Sequence, residues 1–453
     1  MSEIKAGPRL IPLTITLVVI LWLFVTTGWR QVFVKEVLGS AYDSQAEHLL
    51  RGDAGVDVDD IRHEAMIVNG KVCMYFGPFP AFLRIPLNFL YPRARGEWSR
   101  LSGFTAAVIA LLAFGGLIRD RLRTASLRPW QRELIANACL VGFAFASPLP
   151  LLLGNLSIYN EAVIWAFAPS IAALFFAYRA WDAGESASPW ILLGFSVSAS
   201  AALLSRVTFG LPFFLAAPVL VAKLWPRRRF RQLGALLLPL VVGGGFYVLI
   251  GCARFGTPLG VDFSTYINPA HREFLRQHHI FELRRVPTGV ADYFGLRFPP
   301  TEEHAPYFQG QRYPVHHPSL YSNDFSETYL SLLWGSSWLV FGAVIGLFFL
   351  FTQRGQMFER VLAVACGIEA VLVLSYYLLA QRYAVDLVPV LIVCFLVFLR
   401  VNGAPLRRTI YPLVALTLFS VVVNFFTTMS WLINADMNVP PQTRTAWRAV
   451  FGR

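Results

Sequence analysis

The chain has 453 residues, 56% hydrophobic and 15% charged, with a net charge of +12 and a mean hydropathy of +0.53. A soluble domain carries about a quarter charged residues, so this composition excludes one, and apolar runs that are continuous rather than alternating exclude an outer-membrane β-barrel. The positive charge does not indicate nucleic acid, because the basic residues sit mostly in short stretches between apolar runs, where they set membrane orientation.

In chain order, a short basic segment precedes about 18 apolar residues that lack a small-residue cleavage site, so the start reads as an uncleaved first span. Runs near the length that crosses a hydrocarbon core as helix then recur. They predict an all-α polytopic membrane protein with about eleven transmembrane helices, near 10–29, 101–118, 134–153, 161–179, 189–205, 209–224, 233–251, 329–351, 361–380, 386–400 and 410–432. Lys5 and Arg9 precede the first. Arg119, Arg121, Arg123, Arg128 and Arg132 follow the second, and Lys223, Arg227, Arg228, Arg229 and Arg231 the sixth. Arg354 and Arg360 follow the eighth, and Arg400, Arg407 and Arg408 the tenth. With the N-terminus cytoplasmic, all of these fall on one side. The positive-inside rule therefore predicts an extracytoplasmic C-terminus.

The whole of 1–453 reads as a single membrane domain with two long, ordered outer loops carrying short interfacial helices. The loop at 30–100 carries the acidic residues, and the other runs over 252–328. Segment 78–92 is apolar but interrupted by Pro78, Pro80, Pro86 and Pro92, with Arg84 in its middle, and reads as an interfacial or re-entrant helix. Cys139, Cys366 and Cys394 lie inside apolar runs as packing residues. Cys73 and Cys252 are both near the outer face, where a disulfide could join them.

Asp43 follows the first span by about a dozen residues. Held near the membrane surface with Tyr42 and Ala46 packing it against the bundle, a partly desolvated carboxylate is suited to take a proton from a hydroxyl; an Asp capping the helix that contains Gln45 to Leu50 is the other reading. The run Asp57, Asp59, Asp60 and Glu64 is either a solvated turn or a set of oxygens for a divalent cation. His63 is a hydrogen-bond donor to a phosphate, a proton carrier or a structural histidine. Glu161 is an ionisable residue at a membrane boundary, where function, pairing and helix-terminus preference all compete. Arg206 and Arg382 stand on the side where basic residues are scarce. Arg binds phosphate oxygens in a bidentate way, and the competing role is snorkelling to headgroups. Asp386 is one α-helical turn from Arg382, which predicts an ion pair between them. The histidines of the second loop, His271, His278, His279, His304, His316 and His317, form no motif.

Several stretches together resemble the GT-C superfamily of membrane glycosyltransferases, in its bacterial, polyprenyl-phosphate-sugar-dependent form. They are Tyr-Asp-Ser-Gln-Ala-Glu at 42–47, Asn69-Gly70-Lys71 followed by Tyr-Phe-Gly-Pro-Phe-Pro at 75–80, Tyr159-Asn-Glu-Ala162, Arg254-Phe-Gly-Thr-Pro258 and Arg382-Tyr-Ala-Val-Asp386. The resemblance implies transfer of a sugar, with inversion, from a lipid-phosphate donor at the outer face of a bacterial inner membrane to a hydroxyl of a glycan, lipid or protein acceptor. Asp43 would be the general base, and Arg382 with Arg206 would bind the donor phosphate. Tyr42, Glu47, His63, Glu64, Tyr75, Tyr159, Glu161, Tyr383 and Asp386 would line the substrates. Many members carry two adjacent acids where this chain has Asp43 followed by Ser44, which leaves the use of a divalent cation open. A lipid-linked oligosaccharide polymerase or ligase, or a transporter lacking chemistry, are the alternatives. A transporter would need ionisable residues at mid-membrane depth, of which Glu369 is the chief one.

Overall fold

The computed structural model describes residues 8–225, 229–258, 260–310, 321, 327–352, 356–400, 404–435 and 438–452. Lys5, Arg227, Arg228, Arg354, His316, His317 and the side chain of His271 lie outside the described residues. Among the described residues each predicted apolar run forms helix over most of its length, although the run 361–380 leaves helix after Leu374. In chain order these helices are Ile11–Val25, Ser99–Arg123, Pro129–Phe145 continued by Leu149–Gly154, Ile158–Ala183, Pro189–Ser205, Val207–Leu224, Phe230–Phe255, Ser337–Phe351, Met357–Leu374, Val388–Arg400 and Ala404–Ser430. Among the described residues, seven helical stretches are long and apolar enough to cross a membrane, and Ile11–Val25, Phe79–Leu90, Pro189–Ser205 and Ser337–Phe351 are shorter apolar helices. Met357–Leu374 has the length but carries Glu359, Arg360 and Glu369. The chain is a multi-pass helical membrane protein.

Small residues let these helices approach closely, as lipid-embedded packing requires. Ala106, Ala107 and Ala110 are fully buried in Ser99–Arg123. A Cβ added at Gly243 would lie 2.5 Å from Ser200, and one at Gly346 would lie 1.8 Å from the carbonyl oxygen of Cys394. The predicted span at 134–153 breaks at Ser147-Pro148. Its freed carbonyls are satisfied by side chains from elsewhere: Asn424 donates to Phe145 and Ser147 at 2.8 Å each, and Trp338 Nε1 donates to Ala146 at 2.8 Å. This is how a broken helix is tolerated where no water can reach it.

The two ends of the bundle differ chemically. One end gathers the predicted basic loops, with ion pairs Arg179–Asp120 at 2.7 Å, Arg121–Asp182 at 3.2 Å and Arg400–Glu359 at 2.7 Å. The other end carries both long loops. In the first loop, helices Ala41–Leu50 and Phe79–Leu90 pack on each other, separated by a hairpin of Met66–Val68 and Lys71–Cys73. Asn69 and Gly70 turn that hairpin with φ of 50° and 77°, the left-handed pair a two-residue turn needs. In the second loop, Tyr266 bridges to Met66, and the Ile267 amide donates to the Ala65 carbonyl at 2.9 Å, so the loops are stitched together. Segment 78–92 is a helix as expected, with Arg84 fully buried and Phe89 and Leu90 exposed. The disulfide considered for Cys73 and Cys252 is not formed: Cys73 is buried, with its thiol directed at the Arg254 carbonyl, while Cys252 is exposed, and both are free thiols.

Gly346→Ala is expected to force Ser337–Phe351 away from Val388–Arg400 and cost about 1–3 kcal/mol of stability. Gly367→Ala, where a Cβ meets nothing within 4 Å, is expected to be neutral or to stabilise by up to about 1 kcal/mol. Thermal unfolding of both variants in one detergent checks the contrast.

Candidate active site

A cavity of about 360 Å³ opens where the first loop meets the loop-bearing end of the bundle. The turn after the hairpin supplies Tyr75, Phe76 and Gly77. Ile158–Ala183 supplies Tyr159, Ala162 and Val163, and the break between Pro189–Ser205 and Val207–Leu224 supplies Arg206 and Thr208. The second loop contributes Phe263 and Phe281. Tyr376, Arg382 and Tyr383 come from the stretch after Met357–Leu374. Gly77 is required: any Cβ there would lie 2.1 Å from the Leu204 carbonyl oxygen.

Two guanidiniums share one aromatic ring in this wall. The Arg206 carbon Cζ lies 4.9 Å from the Tyr383 ring centre and that of Arg382 lies 5.1 Å from it; Arg382 is also 4.9 Å from the Tyr159 ring. Each has a carboxylate. Arg206 meets Asp386 at 3.0 Å, and Thr208 donates to the other oxygen of Asp386 at 3.1 Å. Arg382 pairs with Glu327. The predicted Arg382–Asp386 pair is therefore not made. The reason is local: Gln381–Leu387 is a 3₁₀ helix, with three residues per turn, so a residue four positions on lies about 120° round the axis instead of on the same face. Glu327 carried no sequence signal, because it stands alone at the end of the second loop. Thr208 and Tyr376 were equally silent, being ordinary residues brought in by the fold.

Asp43 is fully buried inside the first turn of Ala41–Leu50, whose N-cap is Ser40, so it is not the cap. Its carboxylate is not part of the cavity wall. Oδ2 accepts from the Gly96 amide at 3.1 Å, and Oδ1 has no hydrogen-bond partner. Burial raises its pKa to about 6, with Glu161 adding to the rise and Arg84, Asn88 and the Gly96 amide opposing it. Glu161 is one layer behind the wall too. It accepts from Arg84 at 2.5 Å and from Ser102 at 2.6 Å, and both members of the ion pair are out of solvent. Tyr42 is fully buried, and burial pushes its phenol well up.

The rest of the acidic loop points several ways. Glu47 meets Arg95 at 2.7 Å and Asp60 meets the same guanidinium at 2.9 Å. Asp57 accepts from Ser44 at 2.8 Å and faces His48, which hold its carboxyl below the usual range. Glu64 turns inward to three tyrosine hydroxyls, those of Tyr75, Tyr159 and Tyr266, while exposed His63 reaches the Tyr159 hydroxyl at 3.2 Å. Among the described residues no three His, Cys, Asp or Glu side chains converge as a metal cage. Of the run considered for a divalent cation, Asp57 meets Ser44 and His48, Asp60 meets Arg95 and Glu64 meets the tyrosines. The structure thus brings together Arg206, Arg382, Tyr75, Tyr159 and Tyr383 in one wall and seats Asp386 and Glu64 directly behind it. Tyr42, Asp43 and Glu161 are set deeper, and Glu47 and His63 outside.

No family model matches the chain, and no curated protein matches it by sequence. Among solved structures it is similar to ArnT from Cupriavidus metallidurans bound to undecaprenyl phosphate. The identity is 13%, the match covers 92% of this chain and 76% of that one, and the TM-score is 0.50. It is also similar to the archaeal oligosaccharyltransferase AglB from Archaeoglobus fulgidus, in complex with an inhibitory peptide and a dolichol-phosphate, at 13% identity over 95% of this chain and 58% of that one, with a TM-score of 0.47. At this identity the likeness shows the fold alone, and the chain shares the fold of the solved ArnT structure.

Removing one partner of a buried ion pair leaves an uncompensated charge, at a cost of about 3–5 kcal/mol. Glu161→Ala is therefore expected to destabilise the protein by that order, and adding Arg84→Met to recover most of the loss. Thermal melts of the single and double variants read this directly.

Proposed function

We propose that the chain is a glycosyltransferase that takes a sugar from a polyprenyl-phosphate donor, at the outer face of a bacterial inner membrane, and delivers it to an acceptor hydroxyl with inversion. The observation that carries this reading is the pair of guanidiniums on the Tyr383 ring, facing a cavity whose other walls are apolar and aromatic. A lipid phosphate has both halves such a place needs: an anion for the arginines and a chain for the apolar flank. The bond from the anomeric carbon to the phosphate oxygen breaks, and the released lipid phosphate carries a developing charge that Arg382 and Arg206 stabilise. The likeness to a protein whose structure holds undecaprenyl phosphate supports the choice of lipid. The clustering of basic loops at the far end of the bundle supports an extracytoplasmic site.

In this proposal the acceptor oxygen attacks the anomeric carbon and its proton passes to Asp43. A pKa of about 6 suits a base working near neutral pH.

The test is transfer of labelled sugar from a lipid-phosphate donor in proteoliposomes. Arg382→Ala is expected to lower transfer about 10²–10³-fold. Wild-type transfer is expected to rise with pH and level off above about 6, as Asp43 loses its proton. Asp43→Asn is expected to abolish both the transfer and that acid limb; full transfer by this variant moves the base elsewhere. A product whose donor proves to be a pyrophosphate-linked glycan replaces this reading with a polymerase or ligase.

A further inference from the structure

Arg382 has a carboxylate partner already, Glu327. A donor phosphate arriving at Arg382 competes with that partner, so the guanidinium must be held in place by something else while its counter-ion changes. Its other neighbours are two aromatic faces, Tyr159 at 4.9 Å and Tyr383 at 5.1 Å. Tyr383 is also shared with Arg206. Tyr159 serves Arg382 alone among the described cation–ring contacts, and what fixes the Tyr159 ring is its hydroxyl, which donates to Glu64 Oε1 at 2.6 Å.

Glu64 is nearly out of solvent, and its carboxylate collects hydroxyls from three remote parts of the chain. Besides Tyr159, its Oε2 accepts from Tyr75 at 3.0 Å and from Tyr266. Tyr75 and Tyr159 present their rings to the cavity, whereas Glu64 does not. The adjoining strand residue Met66 bridges to Tyr266, so the carboxylate sits at the junction of both outer loops and Ile158–Ala183. Two effects follow. The hydrogen bond sets the plane of the Tyr159 ring beneath the guanidinium. A phenol donating to a carboxylate also becomes richer in electrons, which deepens the negative face that attracts a cation.

Resting on the lipid-phosphate reading above, we propose that Glu64 is a positioning residue for the donor phosphate: through the Tyr159 hydroxyl it holds the aromatic seat on which Arg382 waits, without itself touching substrate.

The experiment measures binding of undecaprenyl phosphate to the full chain in nanodiscs, with thermal melts run alongside. Wild type is expected to bind, and Arg382→Ala to lose binding. Glu64→Ala is expected to weaken binding about tenfold, a change of about 1.4 kcal/mol. Tyr159→Phe, which keeps the ring but cuts the link, is expected to weaken it similarly. The double variant is expected to be no weaker than the worse single by more than about twofold, since both changes break one connection. Glu64→Gln retains a carbonyl acceptor and the side-chain volume, and is expected to restore part of the affinity; it carries the test if Glu64→Ala does not fold. Unchanged binding in the Glu64 variants, or losses of Glu64→Ala and Tyr159→Phe that simply multiply, overturns the proposal. So does a lowered melting temperature with affinity intact. Failure of wild type to bind undecaprenyl phosphate at all sinks the donor reading, and this inference with it.

Discussion

The ion pair between Arg84 and Glu161, buried at one end of the bundle, is the interaction on which the site depends. Arg84 comes from the helix Phe79–Leu90 of the first loop and Glu161 from the first turn of Ile158–Ala183, while Ser99 and Ser102 of a third helix complete the contact. A short amphipathic helix would otherwise float on the bundle by its apolar face alone, free to rotate and slide. A charge pair in a place that water does not reach has one acceptable geometry, because either partner alone is costly. It therefore sets the register of that helix. Tyr75, Phe76 and Gly77 immediately precede the helix and form a wall of the cavity, so their placement is inherited from Arg84.

The same reasoning explains how two arginines persist together in an apolar corner. Arg206 and Arg382 approach one ring, an arrangement that like charges resist. Each is compensated separately, Arg206 by the wholly buried Asp386 with Thr208 and Arg382 by the more accessible Glu327. The two carboxylates differ in what they can do. Asp386 is held by two partners and is part of the frame. Glu327 comes from the loop and has one side-chain partner among the described contacts, so in the proposed reading it is the anion that a donor phosphate would replace with least disturbance.

Much of the fold was legible in the sequence, because a membrane reduces the question to where apolar runs begin and end. The eleven segments are helical, and the basic loops do gather at one end. The site was legible by residue more than by pairing. Arg206, Arg382, Tyr75, Tyr159 and Tyr383 line one cavity, yet Arg382 was assigned to Asp386 on α-helical spacing when the backbone there is 3₁₀. Arg84 was visible only as a flaw in an apolar segment, since its partner is 77 residues away. The hairpin was missed although Asn69-Gly70 is a strong two-residue turn signal, because the flanking strands are only three residues each.

The separation of Asp43 from the cavity fits the demands of the proposed chemistry. A base with a raised pKa needs burial that outweighs the cations near it, as burial outweighs Arg84 at Asp43. A phosphate needs the opposite, converging cations with nothing acidic free to repel it. Were the carboxylate set directly among Arg206 and Arg382, it would pair with one of them, as Asp386 and Glu327 do. In the proposed reading, an acid kept one layer behind, against a peptide amide, leaves Arg206 and Arg382 to the donor phosphate.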